Sequence, residues 1–378
     1  MEFSRVNIIR RLIAKIIGHI NTYCTVILTC STLLAYAANY VSPLDFKLPS
    51  YFGLMFPYIL IADFTYIVLL LIVRKNNAFF LIGIVLLGWR CILATVQANP
   101  LHFFSNDDET TDSSFLIMSF NVRLLDRYNW IKGKNDTRTK IFEFLKYESP
   151  DIVCFQEFYN RNNDSLDNRT QVKQILQATS VVTDASSDGK HDLGYVIFSK
   201  YTLSNSQKIY DQDNKLIGIS ADANINGKKV RIINVHLKSI KLGYNDYNFI
   251  DSLDRTKKIE QLSGFKSIFT KMDNAYIQRI SQAKVINLHI SKSPYPLILC
   301  GDFNEPPVSY CYKKITENIN DAFVEGGLGF GTTMRLKFFI FRIDYILHTK
   351  NLKSSNFVTH NERLSDHYAI SCKITLSN

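Results

Sequence analysis

Six apolar runs in this chain end abruptly in an amide, an acid or an imidazole. Ser-Phe-Asn-Val-Arg presents Asn121, and Phe-Gln-Glu presents Glu157. Asn-Val-His-Leu presents Asn234 and His236, and Gly-Asp-Phe-Asn presents Asp302 and Asn304. Arg-Ile-Asp-Tyr-Ile presents Asp344, and Ser-Asp-His presents Asp366 and His367. Each has an ordinary explanation when taken alone. An Asp or Asn after an apolar run is usually a turn residue, and a single His is usually a hydrogen-bonded structural one. The set says more than its members. Carboxylates such as Glu157 and Asp366 are hard oxygen donors suited to Mg2+ or Mn2+ rather than zinc. Two histidines, one with an Asp to orient it, suit proton transfer at a phosphate ester. Gly301, just before Asp302, leaves room for the backbone to approach a substrate.

These residues need a scaffold. Short runs rich in Val, Ile, Phe and Tyr predict strands over 115–122, 151–156, 194–199, 216–224, 229–237, 296–301, 341–347 and 368–376. Asn226-Gly227 between two of them reads as a tight hairpin turn. Helical periodicity covers 136–148, 170–178 and 254–292. Strands with helices between them give an α/β or α+β layered domain, whose strand-end loops present the reactive groups. The stretch 238–292, with Tyr244, Tyr247, Phe249, Phe265 and Phe269, exceeds a simple connection. It forms either a lid or contact surface or, more commonly, a packed outer helix.

Taken in order, SFNVR, FQE, NVHL, GDFN, RIDYI and SDH resemble the endonuclease/exonuclease/phosphatase family over residues 115–378. The family includes deoxyribonucleases, apurinic endonucleases, neutral sphingomyelinases and inositol polyphosphate phosphatases. The resemblance implies a four-layer α/β/β/α sandwich with the site at one edge of two sheets. It implies a Mg2+ or Mn2+ ion bound by Glu157, with Asn121 and Asp366 in support. Asp302 would align or deprotonate the attacking water, and Asn304 would hold a phosphate oxygen. His367, oriented by Asp344, would contact the phosphate. His236 stands where deoxyribonuclease-like members keep a histidine and apurinic endonucleases a tyrosine, which disfavours an abasic-site specialist. The implied substrate is a phosphodiester or phosphomonoester in a nucleic acid, a phospholipid or a soluble phosphoester. The alternative is a catalytically inactive binding module on the same fold. The complete motif set weighs against it. No obligate protein partner is evident.

Composition divides the chain. It has 378 residues, a net charge of +10 and a mean hydropathy of −0.03, an average that hides an apolar first hundred residues. No charge falls between Lys15 and Asp45, one (Asp63) falls between Lys47 and Arg74, and an apolar run follows Lys75. About 20 apolar residues cross a bilayer, so three transmembrane spans are expected near 20–41, 52–73 and 77–97. Together with GDFNEPPVSYCY, this prefix resembles a membrane-anchored bacterial branch of the family. Ala35-Tyr36-Ala37 resembles a signal cleavage site, but two further spans make cleavage unnecessary. Asp63 and Arg90 lie inside the spans, where they could pair or Arg90 could reach outward.

Arg5, Arg10, Arg11 and Lys15, with Arg74 and Lys75 in the second connection, outnumber the lone Lys47 of the first. Basic residues stay inside, so the N-terminus is expected in the cytoplasm and everything after residue 100 beyond the cytoplasmic membrane, in the periplasm if the cell is bacterial. The expected organisation is an anchor over 1–100 with the lipid bilayer as its partner, an acidic linker over 101–114 and a catalytic domain over 115–378. Seven cysteines show no zinc or redox spacing. Lys228, Lys229, Arg231, Arg255, Lys257, Lys258, Lys266 and Lys271 would suit a nucleic acid or an anionic bilayer equally well.

Overall fold

The computed structural model describes residues 2–98, 114–127, 137–161, 167–184, 191–240, 258–335 and 339–376. The expected linker lies outside them except for Ser114, as do Tyr244, Tyr247, Phe249, Arg255 and Lys257. The chain forms two compact units, Met1–Leu93 with Val308–Tyr310, and Ala94–Pro307 with Cys311–Asn378.

The first unit is helical: α1 (Glu2–Ala37), α2 (Leu48–Leu54), α3 (Phe56–Ile72) and α4 (Asn77–Leu87), with α5 (Trp89–Thr95) leading out of it. Among the described residues one continuous helix, Arg11–Ala37 within α1, is long and apolar enough to cross a membrane. The second and third expected spans are not straight helices. Each is a pair that meets the length and hydropathy of a span only when joined, with a bend of 68° between α2 and α3 and 71° between α4 and α5. The first bend precedes Pro57, whose missing N–H cannot continue the ladder of α2. At the second, a Cβ on Gly88 would lie 2.0 Å from the Tyr36 ring. Glycine therefore lets that ring pack into the bend, where its hydroxyl donates to Val85 O at 2.9 Å. Asp63 is buried and accepts a 2.6 Å hydrogen bond from Thr32 Oγ1. Arg90 is not its partner and instead stacks on Trp89 at 5.5 Å.

The second unit is an α/β sandwich of two mixed six-stranded sheets packed with helices. In chain order the strands are β1 (Ser114–Asn121), β2 (Ile152–Arg161), β3 (Ser180–Thr183), β4 (His191–Ser199), β5 (Thr202–Tyr210) and β6 (Leu216–Ile225). They continue with β7 (Lys228–His236), β8 (Leu297–Asp302), β9 (Ile319–Asp321), β10 (Asp344–Thr349), β11 (Leu352–Thr359) and β12 (Ile370–Leu376). The first sheet runs β11-β12-β1-β2-β4-β3 and the second β5-β6-β7-β8-β10-β9. Only the β1–β2 and β7–β8 pairs are parallel among those described.

Side chains alternate across each strand. Phe115 and Ile117 of β1 join Ile152 and Cys154 of β2 in a core with Ile219, Ile232, Ile298 and Ile346 of the other sheet. Met118 and Phe120 face the opposite way, onto α6 (Thr137–Glu148) and α7 (Asn168–Ile175) through Ile141, Phe144, Leu145 and Val172. The long α8 (Lys258–Ser291) buries Ala275, Tyr276, Ile280, Ala283 and Ile286 at helical spacing. Two short helices, α9 (Tyr310–Ile315) and α10 (Ala322–Gly326), follow β8 and β9. The Asn226-Gly227 turn forms as read, both residues left-handed at φ 51° and 84°.

Candidate active site

Strand register assembles the site. His236 ends β7, Asp302 ends β8 and Asp344 opens β10. His236 pairs with Asp302, and Asp302 pairs with Asp344, so three predicted residues stand side by side on one sheet edge. Asn121 ends β1 in the other sheet, and its Nδ2 donates to Asp302 Oδ2 across the sandwich at 3.1 Å. His367 arrives on the loop before β12. Its Nδ1 lies 2.9 Å from Asp344 Oδ2 and its Nε2 lies 3.7 Å from Asp302 Oδ2. His236 Nε2 is 3.4 Å from that same oxygen and 3.9 Å from Glu157 Oε1. Asn304, left-handed at φ 52°, donates its N–H to Asp302 Oδ1 at 2.8 Å and its Nδ2 to Leu237 O at 3.2 Å.

Glu157 does not end its strand, contrary to expectation. Strand β2 continues to Arg161 and is interrupted between Phe155 and Phe158, where the register against β4 shifts and Glu157 takes φ 51°. Such a bulge redirects side chains. Gln156, which the sequence did not single out, donates from Nε2 to Ser119 Oγ at 3.2 Å and to Asn234 Oδ1 at 2.7 Å. Asn234 Nδ2 in turn donates to Phe155 O at 2.7 Å and Val196 O at 3.2 Å. Asn234 thus serves the scaffold, tying the two sheets together beneath the site. The only signal for Gln156 was an amide inside an apolar run. Gly301 also differs from its reading. With φ 156°, its Cβ would lie 2.1 Å from Val235 O, so the close backbone approach is to β7.

Asp366 pairs with Arg123, its Oδ2 3.2 Å from Nε, and its Oδ1 accepts from Ser365 Oγ at 3.1 Å. Arg123, whose function local sequence does not reveal, also donates its N–H to Asn121 Oδ1 at 3.1 Å. It opens a run of four left-handed residues to Asp126, with φ from 41° to 58°. Left-handed backbone costs roughly 1–3 kcal/mol per non-glycine residue and survives only where surroundings impose it. Tyr195 OH donates to His236 O at 3.3 Å. Buried Arg279 of α8 donates to Asn304 O and pairs with Glu305 at 3.1 Å, backing the loop after Asp302.

Burial raises the Asp302 carboxyl, as does the Asp344 charge, against the pull of His367, His236 and the Asn304 N–H. Burial alone would lower His367, but the Asp344 and Asp302 carboxylates outweigh it and hold the imidazole well above its ordinary value. The surrounding carboxylates therefore favour the charged form of the ring.

Asp302, Asp344 and His367 form a candidate metal group, with ligand atoms within 4.8 Å of one another. These three side chains are buried, so the more exposed Glu157 carboxylate offers a cation readier access. The donor chemistry fits a hard divalent ion: Glu157, Asp302, Asp344 and Asp366 offer oxygens, and Asp344 Oδ1 is buried without a hydrogen-bond partner.

Two family models match. One, described as the endonuclease/exonuclease/phosphatase family, covers residues 118–367, and the other, a domain of unknown function (DUF8431), covers 15–95. No curated protein matches the sequence. Similar solved structures include an endonuclease/exonuclease/phosphatase from Bacteroides vulgatus, at 18% identity and a TM-score of 0.50, over 70% of this chain and all (100%) of that one. A family member from Bacteroides thetaiotaomicron gives 16% identity and a TM-score of 0.50, over 70% of this chain and 99% of that one. These likenesses support the fold. With the family model spanning both histidines and every predicted carboxylate, the chain belongs to the endonuclease/exonuclease/phosphatase family of phosphoester hydrolases.

Proposed function

We propose that the protein is a membrane-anchored, divalent-metal-dependent phosphoesterase acting outside the cytoplasmic membrane. The observation that carries this reading is the convergence of three nitrogens, from Asn121, His236 and His367, on Asp302 Oδ2. A buried carboxylate in that setting can orient a water and accept its proton as it attacks phosphorus. The His367 imidazolium, held by Asp344, donates to the phosphoryl oxygens as charge develops. His236 aids proton transfer beside Asp302, and the Asn304 amide holds a phosphate oxygen. Glu157 would hold the ion with Asn121 and Asp366 in support, and the bound ion would neutralise charge on the phosphate.

The apolar helices of the first unit form the anchor, and the catalytic domain includes residues 115–378. Its orientation survives the bends in the helices. With α1 crossing, two bent pairs that both span and two that both turn back each leave the second unit opposite the N-terminus. Arg74 and Lys75 favour two spans, because turning back would place them outside.

The test uses the full chain in detergent with Mg2+. Bis(p-nitrophenyl) phosphate, an oligonucleotide, phosphatidylcholine–sphingomyelin vesicles and a hexose 6-phosphate are offered in turn. At least one is hydrolysed, and chelation stops the reaction. Hydrolysis of none, or full activity in chelator, refutes the proposal.

A further inference from the structure

Arg342 lies two residues before Asp344 and is 2% exposed, among the largest fully buried side chains described. A buried guanidinium must be paired or it is costly. Its Nη1 lies 2.8 Å from Asp321 Oδ2, which also accepts from Tyr312 OH at 2.7 Å. Its face meets the rings of Phe323 and Tyr345 at 4.4 and 4.6 Å. Its Nη2 donates to Ala94 O at 2.7 Å. Ala94 is in the last turn of α5, where carbonyls lack helical partners and a cation is favoured. The second unit begins there, well before β1.

The same segment is tied down again three residues on. Gln97 N donates to Gly329 O at 2.8 Å, and Gln97 O accepts from Gly329 N at 2.7 Å. The loop from Gly329 then passes over Arg342 at Gly331, whose φ is 56° and whose Cβ would lie 2.4 Å from Phe323 and 3.0 Å from Arg342 Cδ. It ends at buried Thr333, whose Oγ1 accepts both Ile343 N and Asp344 N, at 3.0 and 3.1 Å. Thr333 O accepts Tyr368 N, next to His367, at 2.7 Å. The backbone carrying Asp344 and His367 is thus fixed from below by Arg342 and from above by a loop fastened to Gln97.

We propose that Arg342 is a positioning residue for the Asp344–His367 pair, and that Ala94–Gln97 is a working part of the catalytic unit because it completes the Arg342 socket. A catalytic unit begun at residue 115 would leave Arg342 Nη2 without its Ala94 acceptor and Gly329 without the backbone bridge to Gln97.

Two variants of the full chain in detergent test this. Arg342→Lys keeps a cation near Asp321 but cannot also span to Ala94 O. Gln97→Pro leaves Arg342 untouched and removes the N–H given to Gly329. The first readout is the His367 Nδ1 proton, observed by NMR in chain labelled with 15N-histidine and assigned with His367→Gln. The wild type gives a downfield hydrogen-bonded resonance, and both variants shift or lose it while remaining folded. The second readout is hydrolysis of bis(p-nitrophenyl) phosphate, which rests on the activity proposed above. There kcat falls about 10- to 100-fold in Arg342→Lys, less in Gln97→Pro, with KM held within about twofold. Folded variants with an unchanged His367 resonance overturn the proposal, and if Arg342→Lys fails to fold, Gln97→Pro decides alone. Wild type that hydrolyses nothing removes the phosphoesterase reading, while the resonance still judges the positioning role.

Discussion

Replacing Asp344 with Asn removes the strongest of the three carboxylates, with Asp302 and Asp366, that favour the charged form of His367. The lost contact is a buried, charge-assisted hydrogen bond of 2.9 Å. Such bonds contribute about 1.5–3 kcal/mol, so the oriented, charged ring should become roughly 10- to 100-fold less populated. Asp302, 3.7 Å from Nε2, remains and prevents complete loss. The assay is the initial rate of bis(p-nitrophenyl) phosphate hydrolysis at saturating Mg2+, with thermal unfolding confirming a folded variant. Asp344→Asn should lower kcat by that factor, and His367→Ala should cost more, about 100- to 10,000-fold. An Asp344 that acts through the ring, rather than as a ligand to the ion, makes the double variant match His367→Ala within about threefold. Rate losses that multiply would refute this reasoning and require separate roles for the two residues.

Glu157→Gln keeps the shape of the side chain and removes its charge. Mn2+ affinity measured by calorimetry should fall about tenfold or more, with activity only partly restored by excess Mg2+, and an unchanged Kd would exclude Glu157 as a ligand. Glu325 is held down to about 2 by His348 and Ser354 although burial pushes it up. A depressed carboxylate stabilises fully above its ordinary value near 4.5 and loses that contribution as pH falls toward 2. The shift from 4.5 to about 2 bounds this contribution at about 3.4 kcal/mol. With the side chain 30% exposed, screening reduces it to about 1–2 kcal/mol. Thermal unfolding between pH 4.5 and 2 should therefore steepen in wild type and flatten in Glu325→Gln, and equal slopes would count against the pairing. Alkaline phosphatase fused after Asn378 should be active in a bacterial host, and a cytoplasmic reporter active at that position instead would reverse the proposed orientation.

All eight strands read from alternation formed, while β3, β5, β9 and β11 were missed. These four are the outer strands of the two sheets. Thr202–Tyr210 reads TLSNSQKIY and is mostly exposed, and β9 has three residues. Edge strands kept short or polar avoid pairing with other chains, which also erases their hydrophobic signal. At the site, an abrupt change from apolar to polar marked the reactive residues, but register decided their neighbours. Nothing local to Asp302 shows that His236 and Asp344 flank it. Glu157 was legible as a residue but its bulge was not, because one extra residue leaves no mark on composition. The contact between Asp366 and Arg123 joins positions 243 residues apart in sequence, beyond any local pattern. Hydropathy marked three apolar stretches, but only the first forms one continuous helix of membrane-spanning length, and hydropathy carried no sign of the bends that break the other two. Pro57 and Gly88 sit at or just after the bends, where a charge count gives no warning.

The central claim is that the cluster around Asp302 directs water at phosphorus. Hydrolysis of a phosphomonoester or diester in H2(18)O, followed by mass spectrometry of the phosphate product, tests it most directly. The full-length wild type should place one 18O in the product per turnover only when Mg2+ or Mn2+ is present, and Asp302→Asn, folded by thermal unfolding, should leave almost none. Equal 18O incorporation by Asp302→Asn, or label appearing in the alcohol product instead of the phosphate, would contradict the account.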